Sequence, residues 1–591
     1  MTDLRELQAR LATAADVDEE LAIAAELRAL PPAAFEHCAR GRLAVLTGYT
    51  SKWLTELTFA HAVARGVHLE TRETLYGLYE QALFARDPEL VAFRPNVVYF
   101  CVGSEHLALE SVASEVERWR RAWELARELF ECDVILNTFV EPAPRVYGNA
   151  ELKLEGSRGR AVAELNLALA SAAPPYVHLH DVNALALEHG RAKLFDQKWF
   201  TLAKLPASMA CLPDYARSLA AVVGALHGRS KKGVVLDLDG TLWGGVVGDD
   251  GIDGIRVGGD TAEGESFSRF QRYLKALAER GVFLAVVSKN EEAVARAAFE
   301  RREMPLRLAD FSAFAASWGT KDKALLEVAR TLNVLPESLV FVDDSPAERE
   351  LMRQRLPEVT VVELPTDPTL YPAALAAGRY FETVSVTKED RLRAKGRDAE
   401  LARAELERDA GSYEDYLASL QMEASIRPWN EEEVPRVVQL VGKTNQFNLT
   451  GLRFTDAQMR ARIGDPAFLS LCLSLRDRFG DHGLVSVLAG HARDGVCELE
   501  NWVMSCRVFK RGVEAVMFGE ACRTLHARGV RSVVGKLVVT ERNGYVKDLF
   551  PSLGFEPTGT DESGATTWRF ELDAQSAAPP KSPILVNGKA A

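Results

Sequence analysis

The 591-residue chain has no CxxC step, no apolar run approaching a bilayer span, and no basic leader with an apolar core. The first absence argues against a zinc site, because paired thiolates at short spacing are its usual signature. The eight cysteines (Cys38, Cys101, Cys132, Cys211, Cys472, Cys497, Cys506 and Cys522) are scattered, as free thiols in a reducing compartment would be. The other two absences leave no membrane span and no signal peptide in view, so a cytoplasmic setting is expected. Excess positive charge is missing too. A net charge of -13 argues against a general nucleic-acid binder, whose affinity depends on neutralising phosphates. The length is too great for one core, and three domains plus connectors are expected.

One stretch organises what is present: Gly233 to Gly251, GVVLDLDGTLWGGVVGDDG. Val234, Val235 and Leu236 suit a buried parallel strand, apolar on both faces. Asp237 and Asp239 follow two residues apart, so both carboxylates leave on one side. Gly240 permits a sharp turn, and Thr241 comes next. Two convergent carboxylates at the carboxyl end of a parallel strand are costly unless a cation or phosphoryl group lies between them. DLDGT resembles the DxDxT first motif of the haloacid dehalogenase (HAD) superfamily of phosphotransferases. The longer DLDGTLWGGVVGDDG resembles one branch, the FkbH-like proteins of polyketide pathways.

Three further strand ends extend the resemblance. VFLAVVSKN places Ser288 where the family's second motif binds the transferring phosphoryl group. SWGTK resembles the third motif and puts Lys321 against the same charge, and SLVFVDDSPAERE ends in Asp343-Asp344, similar to the fourth. The resemblance implies that Asp237 attacks phosphorus and Asp239 serves as acid, then base. It also implies a hard cation, expected to be magnesium, on oxygens of Asp237, Asp239 (its backbone carbonyl) and Asp343, with Asp344 assisting. Thr241 is expected to face the substrate. Only Leu242 to Asp260 separates the first strand from the next helix, too little chain for a large cap.

Ahead of this domain, residues 1–36 have helical apolar spacing. Residues 37–229 alternate strands (LAVLTG, NVVYFCVG, DVILNTFV, YVHLHDV) with helices. This layout is similar to the SGNH-hydrolase fold that FkbH-like proteins carry. Ser51 lies at a strand end, Asn137 would suit an oxyanion hole, and His178, His180, Asp181 and His189 lie in the last third. The DxxH spacing is absent, so the domain reads as degenerate, retained for packing or docking. The HAD-like domain is assigned to 230–366 and a charged helical connector to 367–425.

Residues 426–572 run helix, strands, helix and strand in an order similar to the GNAT acyltransferase fold, and 573–591 read as a disordered tail. The expected fold class is therefore α/β: an SGNH-like α/β domain, a HAD Rossmann-like doubly wound domain with minimal cap, and a GNAT-like α+β domain. KTNQFNLTG, RDRFGDHG and NWVMSCRVFKRGVE resemble FkbH-like proteins specifically. In acetyltransferases the turn within MSCRVFKRGVE cradles the coenzyme pyrophosphate. Here Glu514 stands where a second glycine is expected, which argues against ordinary coenzyme A binding. Cys506 has Arg507, Lys510 and Arg511 close in sequence, a setting that favours a thiolate. A free cysteine is more often inert and buried; the family motif points instead to an acyl acceptor. Asn445, Gln446, Asn448, His482, Arg507 and Arg511 are the expected substrate contacts, with Asp477 orienting His482.

The resemblance implies an enzyme that takes the glyceryl group of D-1,3-bisphosphoglycerate, removes phosphate and loads an acyl carrier protein through its phosphopantetheine arm. The product would serve methoxymalonyl-type polyketide extender units. One rival is a magnesium phosphatase of a small phosphoester with a separate acetyltransferase-like domain. Another is a scaffold without catalysis, which the complete motif set opposes.

Overall fold

Parallel strands with long apolar runs, joined through helices, produce two of the three sheets in a computed structural model of the chain. The structure describes residues 3–141, 144–384, 403, 406, 410–444, 446–540, 543–561, 564–576, 582–587 and 589–590. Contacts divide the chain into two compact units. One holds residues 1–229, 430–443 and 453–463; the other holds 230–429, 444–452 and 464–591.

In the first unit, β1 (Ala39–Thr47), β2 (Val67–Glu73), β3 (Val97–Cys101), β4 (Asp133–Asn137) and β5 (Val177–His180) form a parallel sheet ordered β2-β1-β3-β4-β5. The sequence pattern misses β2, because an edge strand is covered less completely and VHLETRE carries five charged or polar residues. Helices Lys52–Ala64 and Leu212–Leu226 are almost wholly buried. Residues 430–443 and 453–463, read from sequence as part of the third domain, group with this unit. The short helix Asp456–Ala461 has Asp456 buried between Arg127 (3.3 Å) and Arg460 (2.7 Å).

The second unit carries two sheets. The first contains β6 (Gly233–Leu236), β7 (Phe283–Ser288), β8 (Ala313–Ala316), β9 (Leu339–Val342) and β10 (Thr360–Val361), ordered β10-β9-β6-β7-β8 and all parallel. Central β6 is fully buried, so its apolar run has no solvated face to alternate against. Between β6 and the helix Ala262–Glu279 lies one short helix, Val247–Gly254. The cap is therefore minimal.

The second sheet contains β11 (Glu423–Arg427), β12 (Phe468–Asp477), β13 (Gly480–Arg493), β14 (Val496–Met504), β15 (Ser532–Leu537), β16 (Glu556–Thr560) and β17 (Thr566–Glu571). It continues into β18 (Leu585–Val586) and β19 (Lys589–Ala590). The order β16-β17-β15-β14-β13-β12-β11-β18-β19 has one parallel pair in its middle, β14 with β15. That is the strand order of a GNAT-like α+β fold. The sheet begins before residue 426, because Glu423 to Arg427 pair with β12. The expected disordered tail is also corrected: β18 pairs with Glu423 and Ala424, and Ile584 is fully buried in the core. Burying that apolar side chain offsets the entropy of ordering a short terminal strand. Most of the charged run read as a helical connector lies outside the described residues.

β14 and β15 separate after Leu499 and Gly535. The chain's own residues Phe447 to Thr450 fill the fork. Leu449 N donates to Trp502 O at 3.3 Å, Met504 N to Phe447 O at 3.2 Å, and Val538 N to Leu449 O at 2.9 Å. Phe447 and Leu449 are fully buried there.

Candidate active site

The carboxyl ends of β6, β7 and β9 and the loop after β8 bring one charged cluster together. Asp237 continues β6, its N–H donating to Val342 O at 3.0 Å. Ser288 Oγ donates to Asp237 Oδ1 at 2.6 Å. Lys321 opens the helix Lys321–Thr331, and its Nζ lies 2.9 Å from Asp237 Oδ2 and 2.6 Å from Asp343 Oδ2. Each Asp237 oxygen thus has one donor and keeps a lone pair for attack on phosphorus. Gly240 is required here: φ is 73°, and a Cβ would meet Asp344 Oδ2 at 2.4 Å.

Buried charges set the electrostatics. Burial alone would lower Lys321, but the charges of Asp237 and Asp343 outweigh it and hold the ammonium above its usual range. Burial, and then the charge of Asp237, push Asp343 up to about 6 and Asp344 upward as well. Three carboxylates thus face one ammonium. Oxygens of Asp237, Asp343 and Asp344 lie within 4.8 Å of one another. An all-oxygen set with surplus negative charge fits a hard divalent cation. Asp344 stands in that set rather than beside it. The Asp239 side chain points elsewhere, onto Trp243, Val247 and Asn290.

Thr241, expected to face the substrate, turns its hydroxyl onto Asp344. It is fully buried, and its Oγ1 donates to Asp344 Oδ1 at 3.2 Å and accepts from Asp344 N at 3.1 Å. Motif reading missed three residues. Arg349 donates to the carbonyls of Asp343 and Asp344 (2.9 and 2.8 Å), fixing the acidic turn. Asn290 and Trp243 hold Asp239. The only advance signal was position: two residues beyond Ser288 and four beyond Asp239.

In the GNAT-like domain, Cys506 begins the short turn Cys506–Val508 and is partly exposed. Two of its expected neighbours have other partners. Arg507 donates to His482 O (3.2 Å) and Ser505 Oγ (3.4 Å). Arg511 is buried, 3.5 Å from Asp477 Oδ2. Asp477 also accepts both donors of Arg403 (2.7 and 2.8 Å) and lies 3.0 Å from His482 Nε2. His482 is buried, and burial lowers it more than Asp477 raises it. Arg511 and His482 therefore belong to a buried ionic cluster, which corrects their reading as substrate contacts. Asn448 is structural as well, accepting from Gly451 N at 2.9 Å. Gln446 Oε1 is buried without a hydrogen-bond partner among the described residues, and Asn445 lies outside them.

Asn333 Nδ2 donates to Cys506 O at 2.6 Å. Asn333 follows the helix that Lys321 opens, whose 11 residues span about 16 Å at the usual rise. Cys506 thus sits at the amino-end side of the HAD sheet, opposite Asp237.

Among the described residues the SGNH-like domain assembles no triad. Ser51 Oγ donates to Glu73 Oε2 at 2.5 Å. His180 Nδ1 lies 3.0 Å from Tyr99 Oη, and His189 Nε2 lies 3.1 Å from Asp214. His178 is near Asp133, at the other end of the sheet (3.4 Å). Asn137 spends its amide on Val102 and Thr138, and Asp181 accepts from Thr138 Oγ1 and Ala184 N. Ser51→Ala should leave phosphate release unchanged and lower stability by about 1 kcal/mol, one hydrogen bond. A stable variant without turnover would refute the degenerate reading.

A family model described as FkbH, N-terminal domain, matches residues 42–224. A crystal structure of the N-terminal part of BF1531 from Bacteroides fragilis, containing a phosphatase domain complexed with Mg, is 28% identical. It covers 65% of this chain and 100% of its own, with a TM-score of 0.56. The ribosomal-protein-S18-alanine N-acetyltransferase of Escherichia coli (14% identity, 25% of this chain, 94% of that one) matches at TM-score 0.21. The PaiA N-acetyltransferase of Thermoplasma acidophilum in complex with coenzyme A (13%, 25% and 99%) matches at 0.22. No curated protein matches. The aspartate, serine, lysine and aspartate pair gathered at one end of this parallel sheet are those of the motifs that resemble the haloacid dehalogenase superfamily. The chain is thus similar to an FkbH N-terminal domain over residues 42–224 and to the phosphatase-containing part of BF1531 over 65% of its length, and a GNAT-like sheet follows. No helix of the described residues is long and apolar enough to cross a membrane.

Proposed function

We propose that the HAD domain is a magnesium-dependent phosphatase working with acyl transfer at Cys506, so that a glyceryl group from D-1,3-bisphosphoglycerate reaches an acyl carrier protein. The observation that carries the phosphatase part is the cluster of Asp237, Ser288, Lys321, Asp343 and Asp344 around a space for one cation. The magnesium seen in the BF1531 phosphatase domain supports the choice of ion. When bound there, it would neutralise phosphoryl oxygens. Asp237 attacks phosphorus, Asp239 protonates the departing oxygen, and Asp239 then takes a proton from the water that hydrolyses the phospho-aspartate.

In the transfer part, the Cys506 thiolate attacks the carbonyl of the acyl phosphate, and inorganic phosphate leaves with the electron pair. The carrier thiol then displaces Cys506. The Asn333 contact supports two separated stations, with the carrier's arm moving between them. Lys510, Arg528 and Arg531 are exposed and suit an acidic carrier. The rival coenzyme A acetyltransferase is disfavoured by the filled fork at Phe447 to Thr450 and by Glu514 at the helix N-terminus.

Intact-protein mass spectrometry after exposure to freshly generated 1,3-bisphosphoglycerate and magnesium tests the reading. Wild type should gain an acyl adduct that Cys506→Ala lacks and that moves to an added carrier protein. Phosphate release without any adduct would leave a phosphatase and make Cys506 structural.

A further inference from the structure

Asp239 is held by three donors divided unequally between its oxygens. Trp243 Nε1 (2.8 Å) and Val247 N (2.9 Å) both donate to Oδ1. Asn290 Nδ2 alone donates to Oδ2, at 2.8 Å. A carboxylate oxygen has two lone-pair sites. Oδ1 is therefore full, and Oδ2 has one site left. The other hydrogen of the Asn290 amide faces Ser288 Oγ at 3.2 Å, and Ser288 donates onward to Asp237 Oδ1. Trp243 is fully buried, its ring edge-on to Phe299 at 5.5 Å, and Asn290 is 4% exposed. Neither side chain has a wide choice of rotamers.

We propose that Trp243 and Asn290 are positioning residues for proton transfer, and that Oδ2 of Asp239 is the oxygen that carries the proton. This rests on the phosphatase reading. In the first step the P–O bond to the leaving group breaks as Asp237 bonds to phosphorus, and the proton on Oδ2 passes to the departing oxygen. In the second step water attacks phosphorus and gives its proton to Oδ2, while Asp237 leaves. Trp243 and the Val247 amide stop the carboxyl from turning Oδ1 into that place. Asn290 ties the direction of Oδ2 to the serine beside the nucleophile.

The test compares two phosphate esters on the full chain with magnesium. Glycerol 3-phosphate has a strongly basic leaving oxygen and needs the proton; p-nitrophenyl phosphate has a weakly basic one and does not. The readout is kcat/KM, which ends at the first irreversible step and so reports leaving-group departure. Trp243→Phe keeps the ring and removes the N–H; Asn290→Leu keeps the size and removes the amide. In each, the ratio of kcat/KM for the alkyl ester to that for the aryl ester should fall by at least about tenfold. Asp239→Asn should lower the same ratio, and adding Trp243→Phe to it should lower it no further. A merely structural role would reduce both esters by one factor; an unchanged ratio in both variants, or an additive double variant, overturns the proposal. A wild-type chain that releases phosphate from neither ester overturns the phosphatase reading and this proposal with it.

Discussion

Asp237→Asn is expected to reduce magnesium-dependent phosphate release by at least about 10⁴-fold, the scale on which removal of a covalent nucleophile acts. The amide nearly matches the carboxylate in shape, so Ser288 and Lys321 keep a partner and the fold should stand. What disappears is the anionic oxygen that bonds to phosphorus and one charge of the cation site. Trapping separates the two effects. Wild type quenched in turnover should carry a phosphoryl group on Asp237, whereas the variant should carry none even at saturating magnesium. A variant retaining more than about a hundredth of wild-type turnover would refute the nucleophile assignment.

The second large effect is on stability. Asp477→Asn should destabilise the GNAT-like domain by about 3–5 kcal/mol, because it removes the carboxylate charge that faces the buried Arg403 and Arg511. The Asp477 side chain is inaccessible to solvent and also accepts from the N–H groups of Phe479 and Gly480 (2.9 and 3.1 Å). Burial would raise this carboxyl, but hydrogen bonds from His482 and Arg403 outweigh it and hold it well below the carboxylate range. A lowered native value contributes stability that is complete above the unfolded value, about 4. It is lost as pH falls through the folded value. The gap between wild type and variant should therefore be full at pH 7 and narrow below about pH 4. Urea unfolding at both pH values measures it, and hydrogen exchange at β12 and β13 locates it. An equal gap at pH 7 and pH 3 would show that shape rather than charge carries the effect.

Much of the HAD site was legible because its chemistry sits at strand ends. An apolar run followed by a charged residue marks the strand, its end and its side of the sheet at once, as for Asp237, Ser288 and Asp343. Lys321 was readable from its motif only, since it opens a helix. Trp243 was visible within the first motif yet had no evident task. Its indole N–H gains meaning only when the chain turns at Gly240 and brings it back to Asp239. Asn290 was overlooked for a similar reason: its amide spans groups 51 positions earlier in the chain.

The C-terminal domain was legible as a strand order but not as a site. Arg511 and His482 lie in a basic, loop-rich stretch that reads as open to a substrate. They are buried because Asp477 and a distant arginine, Arg403, draw them inward, and no local pattern announces that pairing. The tail misled in the opposite sense. Proline and small residues signal disorder, but Ile584 finds a core and Leu585 an unpaired edge at β11.

The sequence by itself determined the strands, their carboxyl ends and therefore the charged groups of the phosphoryl site, because burial on both faces and a two-residue period are local properties. Only the tertiary structure decided which donors hold Asp239, which cations are free to meet a ligand, and that Cys506 lies at the far end of the HAD sheet from Asp237. Those outcomes depend on how the chain folds back on itself, from Trp243 four positions beyond Asp239 to Asn333 and Cys506 173 positions apart, and on the packing of whole elements against one another.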